Sequence, residues 1–189
     1  MSDVRLFIAI NFSESVRHTI WAATSTLRAG NYPIRWVARG LVHLTVKFLG
    51  EVEAGRQRDV EQALNAAVGT SRAFVLPVRG AGAFPNPRDP RVIWIGCEPV
   101  PPLELTQHAV ERSLGEVGFA LERRPFRPHV TIGRVKRDAR RHAFSGLGAE
   151  LEAVEVDEAP MIESIDLMRS HLGPNGPKYE RLFAAALSP

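Results

Sequence analysis

Residues 43–50 read His43-Leu44-Thr45-Val46-Lys47-Phe48-Leu49-Gly50, and residues 129–134 read His129-Val130-Thr131-Ile132-Gly133-Arg134. Both stretches hold a histidine followed two positions later by a threonine, with apolar residues in between. Such alternation is typical of a β-strand that buries one face. The stretches lie nearly half the chain apart, so the duplication predicts a site that two similar halves share.

The geometry of a strand indicates which side chains act together. Successive side chains point to opposite faces, so each histidine shares a face with its threonine, about 7 Å away between Cα atoms. The apolar residues pack into the core on the other face. We expect the polar face to carry three residues from each stretch: His43, Thr45 and Lys47 from the first, and Arg127, His129 and Thr131 from the second.

Two histidines that face each other suit the in-line displacement of a phosphodiester. One imidazole removes a proton from the attacking oxygen, while the other protonates the leaving oxygen on the far side of phosphorus. Their ordinary pKa of about 6.5 allows one neutral and one charged ring near neutral pH. The two threonine hydroxyls, with an arginine or lysine nearby, donate to the non-bridging oxygens, where negative charge accumulates.

The surroundings of the two stretches also restrict the substrate. Hydrolysis of an unstrained phosphodiester usually uses metal ions, but no acidic cluster flanks either stretch. We therefore predict no metal and no cofactor, and expect a phosphate that is intrinsically reactive. A five-membered 2′,3′-cyclic phosphate at an RNA end meets this requirement, because ring strain favours its opening.

Composition limits the class of protein. The chain has 189 residues, 44% of them hydrophobic, which is enough for a core, and its net charge of +3 mildly favours a polyanionic partner. The single cysteine, Cys97, excludes an internal disulfide and suits a reducing compartment. The sequence shows neither an export signal nor an apolar run long enough to span a membrane. We expect a cytoplasmic protein that is a monomer and has no membrane partner.

Strand and helix signals alternate along the chain and predict an α+β fold of two lobes, each with a small, mainly antiparallel sheet backed by helices. Residues 1–189 are expected to form one domain made of these two lobes. Strands are predicted over 4–12, 34–37, 42–49, 74–78, 92–95, 129–135, 161–169 and 179–187, and a turn over 173–177. Helices are predicted from Ser13 to Gly30, around Val60 and Leu64, from Pro101 to Val117, and from Asp138 to Phe144.

The two repeated stretches and their neighbours resemble the two-histidine (2H) phosphoesterase superfamily, whose defining feature is a pair of His-x-Thr-x motifs. Within it the chain is most similar to the branch of RNA 2′,3′-cyclic phosphodiesterases, also described as 2′-5′ RNA ligases. The similarity covers nearly the whole chain and includes these further segments: Arg35-Trp36-Val37, Phe84-Pro85-Asn86-Pro87, Arg91-Val92-Ile93-Trp94, Arg127-Pro128 and Arg169-Ser170.

The resemblance implies a bilobal fold with pseudo-twofold symmetry and a central cleft lined by both motifs. It also implies hydrolysis of a terminal 2′,3′-cyclic phosphate to a 2′-phosphate, with possible reverse 2′-5′ ligation. By the same analogy His43 is the proton donor to the departing 3′-oxygen, and His129 is the proton acceptor that activates water. Thr45, Thr131, Arg127 and Lys47 are then the substrate-binding residues.

Three alternatives remain at the level of sequence. The chain could be a phosphodiesterase of the same superfamily that acts on a small cyclic nucleotide or a 2′-5′ oligonucleotide. It could be a non-catalytic protein that binds RNA ends, which would bind tightly and form no product. It could also use its two histidines to bind zinc, although a third ligand at a matching position is missing.

Overall fold

The structure is a computed structural model that describes residues 3–69, 71–174 and 176–189. The strands are β1 (Asp3–Asn11), β2 (Ile34–Trp36), β3 (His43–Glu53), β4 (Phe74–Val75), β5 (Val78–Phe84), β6 (Val92–Cys97), β7 (His129–Val135), β8 (Asp157–Glu158), β9 (Met161–Ile162), β10 (Ser164–Gly173) and β11 (Gly176–Ala186). The helices are α1 (Glu14–Ala23), α2 (Ser25–Ala29), α3 (Gln57–Val68), α4 (Pro101–Glu116) and α5 (Leu147–Glu152). Short 3-10 turns lie at Arg39–Leu41, Ala54–Arg56 and Arg141–Phe144.

One large sheet runs through both lobes. Its strand order is β11-β10-β1-β3-β7-β6-β5-β8, with β2 alongside β7, and its neighbours pair antiparallel. Strands β4 and β9 form a separate antiparallel pair. The predicted α+β class with mainly antiparallel pairing is confirmed, and the halves of the sheet join where β3 meets β7.

The lobes are interleaved along the chain rather than being its two halves. The β3 lobe contains β1, β3, β10 and β11, and α3 packs against β10, β11 and α4. The β7 lobe contains β2, β5, β6, β7 and β8, with α5 packed on β5 and α2 on α5. The last two strands of the chain therefore complete the lobe that its first strand begins. A sequential division into two similar halves does not describe this arrangement.

A continuous apolar core lies between the sheet and the helices. Leu44 of β3 and Val130 of β7 are fully buried in it, as are Leu64 of α3 and Leu103 of α4. Side chains at the alternate strand positions point to the opposite face of the sheet. The predicted burial of the apolar face of both motifs is thus confirmed. No helix in the described part of the chain is long and apolar enough to cross a membrane.

Several predicted element boundaries can be compared with the structure. Ser13 caps α1 as predicted, since its hydroxyl accepts from the amide of Val16 at 3.4 Å. The predicted helix to Gly30 is divided at Thr24 into α1 and α2. Asp138 does not cap a helix; a 3-10 turn begins only at Arg141. The predicted turn over 173–177 includes residue 175, which lies outside the described residues.

The hairpin of β5 and β6 differs from the prediction. The predicted strand over 74–78 is not the partner of the strand at 92–95: β4 pairs with β9, and Val78–Phe84 pairs with Val92–Cys97. Strand β5 is hard to detect in the sequence, because Gly80 and Gly82 lower its β propensity. Gly82 is needed at its position, since a Cβ there would lie 2.3 Å from the Trp94 ring.

Candidate active site

The two motifs meet at the junction of the lobes. Leu44 pairs with Val130 across antiparallel β3 and β7. In that register His43 lies beside Thr131, and Thr45 lies beside His129. Because Leu44 and Val130 point into the core, these four side chains share the opposite face of the sheet. The two histidines are diagonal neighbours across the strand pair, and the Cα atoms of such neighbours lie about 7–8 Å apart. The sequence-based expectation that both motifs meet on one face is confirmed.

His43 is held from both sides of its ring. Its Nδ1 lies 2.8 Å from the carbonyl oxygen of Leu41, and its Nε2 lies 3.1 Å from the hydroxyl of Thr45. A carbonyl only accepts hydrogen bonds, so Nδ1 carries the proton and Nε2 is the reactive nitrogen. Phe7 and Tyr179 pack against the ring with centroids 5.0 and 5.2 Å away. The imidazole is therefore fixed in both tautomer and orientation.

His129 has the same arrangement in the other lobe. Its Nδ1 donates to the carbonyl oxygen of Arg127 at 2.7 Å, again two residues upstream. Phe84 lies edge-on to the ring, with centroids 5.1 Å apart and an interplanar angle of 87°. Phe7 packs near His43 at a similar distance, but those two rings are tilted by only 37°. This correspondence leaves the Nε2 atoms of both histidines on the open face of the sheet. Of two such imidazoles, one can donate a proton from its Nε2 while the other accepts a proton at its Nε2.

The electrostatics of the site favour neutral imidazoles in the free protein. Burial lowers the pKa of His43 and of His129 below 6.5, and the positive charge of Arg134 lowers both pKa values further. The hydrogen bonds to the backbone carbonyls oppose this by raising each pKa. Arg134 therefore acts on both histidines. An anion bound between them would offset its effect, because negative charge stabilises an imidazolium.

A β-bulge follows the threonine in each motif. The pairing of β1 with β3 skips Val46, and the pairing of β6 with β7 skips Ile132. A bulge changes which face the following residues occupy. As a result Phe48 and Arg134, which strict alternation would bury, are exposed and line the groove beside the motifs. The two bulges occupy equivalent positions in the two lobes.

Lys47 lies in a different place from the one predicted. The bulge turns it towards α4, and its side chain is only 3% exposed. Its ammonium donates to the Glu111 carboxylate at 2.6 Å and to the carbonyl of Ala120 at 2.8 Å. Lys47 thus does not share the exposed face of His43 and Thr45, and its charge is used within the protein.

A groove leads away from the motifs between β3 and the segment that precedes β7. It has a volume of ≈ 1140 Å³ and is lined by Thr45 and His129 at one end and by residues 120–127 along its side. Arg127 is exposed and lines this groove, in keeping with its predicted place beside His129. The predicted polar residues are therefore brought together, apart from Lys47.

The sequence does not decide whether Lys47, Arg127 or Arg134 makes the main cationic contact, and it leaves Phe48 out of the predicted site. Alternation places Arg134 and Phe48 on the buried face, and only the bulges reverse this. The signal available in the sequence is that Arg134 is a charged residue at a position where alternation requires burial, which is costly for an unpaired charge.

The described residues contain no group of three or more histidine, cysteine, aspartate or glutamate side chains that could hold a metal ion. Cys97 is buried, and burial raises the pKa of its thiol to about 12. The polar side chains of the two motifs are two imidazoles and two hydroxyls, and Arg134 is a cation whose charge acts on both imidazoles.

Comparison with known proteins agrees with this geometry. The sequence profile of the 2'-5' RNA ligase superfamily matches residues 16–172. A protein of Methanothermobacter thermautotrophicus named RNA 2',3'-cyclic phosphodiesterase is 35% identical over 176 residues, which cover 93% of this chain and 95% of that one. A protein of the same name from Archaeoglobus fulgidus is 31% identical over 186 residues, which cover 95% and 98%.

Solved structures show the same fold. The protein TT0787 of Thermus thermophilus superposes with a TM-score of 0.82 at 28% identity and covers 97% of each chain. E. coli LigT in its apo form superposes with a TM-score of 0.75 at 26% identity and covers 100% of each chain. With the profile match over most of its length and the paired motifs on one face of the sheet, the chain belongs to the 2'-5' RNA ligase superfamily.

Proposed function

We propose that this protein is an enzyme that hydrolyses the terminal 2′,3′-cyclic phosphate of RNA to a 2′-phosphate. The observation that carries the proposal is the Leu44 to Val130 pairing, which sets two imidazoles and two hydroxyls around one opening. The names of the curated relatives support the same activity. One phosphoryl group bound in that opening would touch both lobes.

The reaction needs one proton to be removed and one to be supplied. His129 Nε2 takes a proton from water as the water oxygen bonds to phosphorus. His43 Nε2 gives its proton to the 3′-oxygen as the bond between that oxygen and phosphorus breaks, which leaves the phosphate on the 2′-oxygen. The reverse assignment is chemically equivalent, and the choice of His43 as donor rests on the family resemblance.

The remaining residues stabilise negative charge. Thr45 and Thr131 donate hydrogen bonds to the non-bridging oxygens, and Arg134 supplies the nearest cation, because its charge acts on both histidines. Arg127 contacts the phosphate from the rim of the groove. Lys47 acts indirectly: its bond to Glu111 holds β3, the strand that carries Thr45, in position. All of this proceeds without a metal ion.

The same ring opening supports 2′-5′ ligation when an RNA hydroxyl replaces water as the nucleophile. A 5′-hydroxyl of RNA placed where water attacks would open the cyclic phosphate and form a new phosphodiester. When the 2′-oxygen keeps its bond to phosphorus, the product is a 2′-5′ linkage. Abundant water favours hydrolysis over this ligation. We further propose that one copy of the chain suffices and that it works in the cytoplasm, since both histidines come from one chain and its single thiol suits a reducing compartment.

The test is incubation of protein treated with a chelator with an RNA that ends in a 2′,3′-cyclic phosphate, followed by identification of the product. We expect an RNA with a 2′-phosphate. Tight binding without product would instead support an RNA-end binder, and activity abolished by the chelator and restored by zinc would support a metal site. Size-exclusion chromatography of the active protein checks that it is a monomer.

A further inference from the structure

The segment that precedes His43 is bonded to both motif strands. We call residues 34–42 the linking segment. Its first three residues form β2, which pairs with β7, and the amide of Val37 then donates to the carbonyl oxygen of Ile132 at 2.9 Å. Its far end provides the carbonyl oxygen of Leu41 that accepts from His43. One short stretch of chain thus runs from the strand of the second histidine to the ring of the first.

The part of the linking segment nearest His43 is the 3-10 turn, which lies at the surface. Ala38, Arg39 and Gly40 are all exposed. Within the turn, the amide of Leu41 donates to the carbonyl oxygen of Ala38 at 2.8 Å. A Cβ at Gly40 would have no neighbour within 4 Å among the described residues. The turn therefore depends on an outside support to hold the Leu41 carbonyl in place.

That support comes from α1 and reaches the turn through Arg39. Its Nη2 lies 2.8 Å from Oε1 of Glu14, and its Nη1 lies 3.2 Å from Nδ1 of His18. A guanidinium has no acceptor, so Nδ1 of His18 accepts this bond. Arg17 pairs with the other oxygen of Glu14 at 3.0 Å. The hydrogen bond from Arg17 and the charge of Arg39 both lower the pKa of Glu14, which keeps the carboxylate charged.

The position of the turn controls the state of the His43 ring. Nδ1 keeps its proton because the Leu41 carbonyl accepts it, and Nε2 is left for chemistry. Burial lowers the pKa of His43, and the bond to Leu41 opposes this by raising it. A displacement of the turn by about 1 Å would stretch this 2.8 Å contact beyond hydrogen-bond distance. The proton of the neutral ring could then occupy Nε2 instead.

We propose that Arg39 is a positioning residue for the catalytic ring of His43. By binding the 3-10 turn to α1, it keeps the carbonyl oxygen of Leu41 against Nδ1. Helix α1 is a firm support, because its Val16 and Ile20 are buried in the core. The inference rests on the proposed function only for the catalytic role of His43, because the tautomer of a ring can be measured without a substrate.

Nitrogen-15 NMR of the imidazole rings tests the proposal directly, because the two neutral tautomers differ in their nitrogen shifts. Spectra are recorded at alkaline pH, where the rings are neutral. We expect His43 to carry its proton on Nδ1 in the wild type and to become a mixture that includes the Nε2–H form in Arg39→Gln. His129 is an internal reference, because its own carbonyl partner is Arg127. Arg17→Gln removes the other ion pair of Glu14 and should keep the wild-type tautomer.

Kinetics on an RNA with a 2′,3′-cyclic end give the second readout. We expect Arg39→Gln to lower kcat about 10-fold with KM unchanged, within the loss of about 100-fold that a misplacement of about 1 Å can cause. Arg39→Lys keeps a positive charge near Glu14 and should recover most of kcat. Glu14→Ala combined with Arg39→Gln should be no worse than Arg39→Gln alone, because both changes remove the same contact. Arg17→Gln should match the wild type.

The pH profile separates positioning from a simple effect of charge. Loss of the Leu41 bond lowers the pKa of His43, so the alkaline limb of kcat/KM should move to lower pH in Arg39→Gln. Loss of a positive charge alone would move it to higher pH. The other charged or titratable side chains around the ring, Arg134 of β7 and Tyr179 of β11, are the same in both proteins.

Three results would overturn the inference: a wild-type tautomer of His43 in Arg39→Gln, kinetics of Arg39→Gln that match those of Arg17→Gln, or an alkaline limb that moves to higher pH. Circular dichroism checks that each variant is folded, as expected when an exposed ion pair is lost. If the wild type does not hydrolyse the RNA, the proposed function fails, and the NMR spectra still decide whether Arg39 positions the ring.

Discussion

Each histidine of the site is oriented by the backbone just before it. The carbonyl oxygens of Leu41 and Arg127 accept from Nδ1 of His43 and His129, and this leaves Nε2 of each ring for chemistry. Neither carbonyl could be identified as a partner from residue types, because any residue provides one. What the sequence does predict is the pairing of an imidazole with a hydroxyl on one face of a strand.

The two histidines should act as a unit. We expect His43→Ala and His129→Ala each to remove most turnover, and the double variant to be little worse than either single one, because the loss of one proton transfer already stops the reaction. Single-turnover rates on an RNA with a cyclic end measure this. Losses that multiply in the double variant would mean that the rings work separately. His108→Ala on α4, away from the motifs, serves as the control.

The two threonines should contribute through their hydroxyl groups. Thr45→Val and Thr131→Val keep a β-branched side chain in the strand, so the fold should persist while one donor to the phosphoryl oxygens is lost. We expect kcat to fall by about 10- to 1000-fold for each. Thermal melting of both variants checks stability. An unchanged kcat would assign that threonine to packing alone.

Arg134 should set the pH dependence of the reaction. Catalysis needs one protonated and one neutral imidazole, and the pKa values of both rings lie below 6.5 in the free protein. We therefore expect kcat/KM to be highest below pH 6.5 and to fall as the pH rises, because the donor loses its proton. Arg134→Gln removes a charge that lowers both pKa values, so the alkaline limb should move to higher pH while kcat/KM drops.

The measurement is kcat/KM against pH for the wild type and Arg134→Gln. Arg137→Gln, an exposed neighbour beyond the end of β7, is the control and should keep the wild-type profile. An alkaline limb that stays in place in Arg134→Gln would contradict the electrostatic role of this residue.

At the scale of elements, the strands were largely predictable and their irregularities were not. Alternating apolar residues predicted β3 and β7 well. The bulges at Val46 and Ile132 arise from how β3 meets β1 and how β7 meets β6, which are contacts between segments distant in sequence. They reverse the faces on which Lys47 and Arg134 lie, so Lys47 is buried where alternation predicts exposure and Arg134 is exposed where alternation predicts burial.

Removing one partner of the buried ion pair between β3 and α4 should strongly destabilise the protein. Lys47→Met leaves the carboxylate of Glu111, 13% exposed, without its partner, and we expect the free energy of unfolding to fall by about 3–5 kcal/mol. Lys47→Met combined with Glu111→Leu should recover most of this loss, because no buried charge remains. Chemical denaturation measures both variants.

The matched control is a pair on the surface. Glu98→Gln removes the negative charge that pairs with Arg79. Both side chains of this pair are about half exposed, so the change should cost about 0–1 kcal/mol. If Lys47→Met costs no more than this, the buried pair is not a structural tie.

At the scale of the whole molecule, the continuous core predicts that the lobes unfold together. The helices of both lobes pack into one cluster of buried side chains. We therefore expect a single transition in which the far-ultraviolet signal and the intrinsic tryptophan fluorescence coincide, as for one cooperative domain. Two separated transitions would show that the lobes are independent domains, contrary to the expectation for residues 1–189.

The repeated motifs predict two similar lobes, but they do not indicate which segments of the chain each lobe contains. Strand β1 lies between β3 and β10, and β10 and β11 follow the second motif in sequence. The periodicity of each strand is local and can be detected in the sequence, whereas the choice of neighbour depends on long-range pairing.

The late position of β10 has a consequence for synthesis. When a ribosome has translated both motifs, the edge of β1 that will receive β10 has no partner on the nascent chain. An uncovered strand edge invites pairing with other chains, so the protein passes through an aggregation-prone stage after its reactive residues are already made. Messages that end early would yield polypeptides with both imidazoles and no working enzyme.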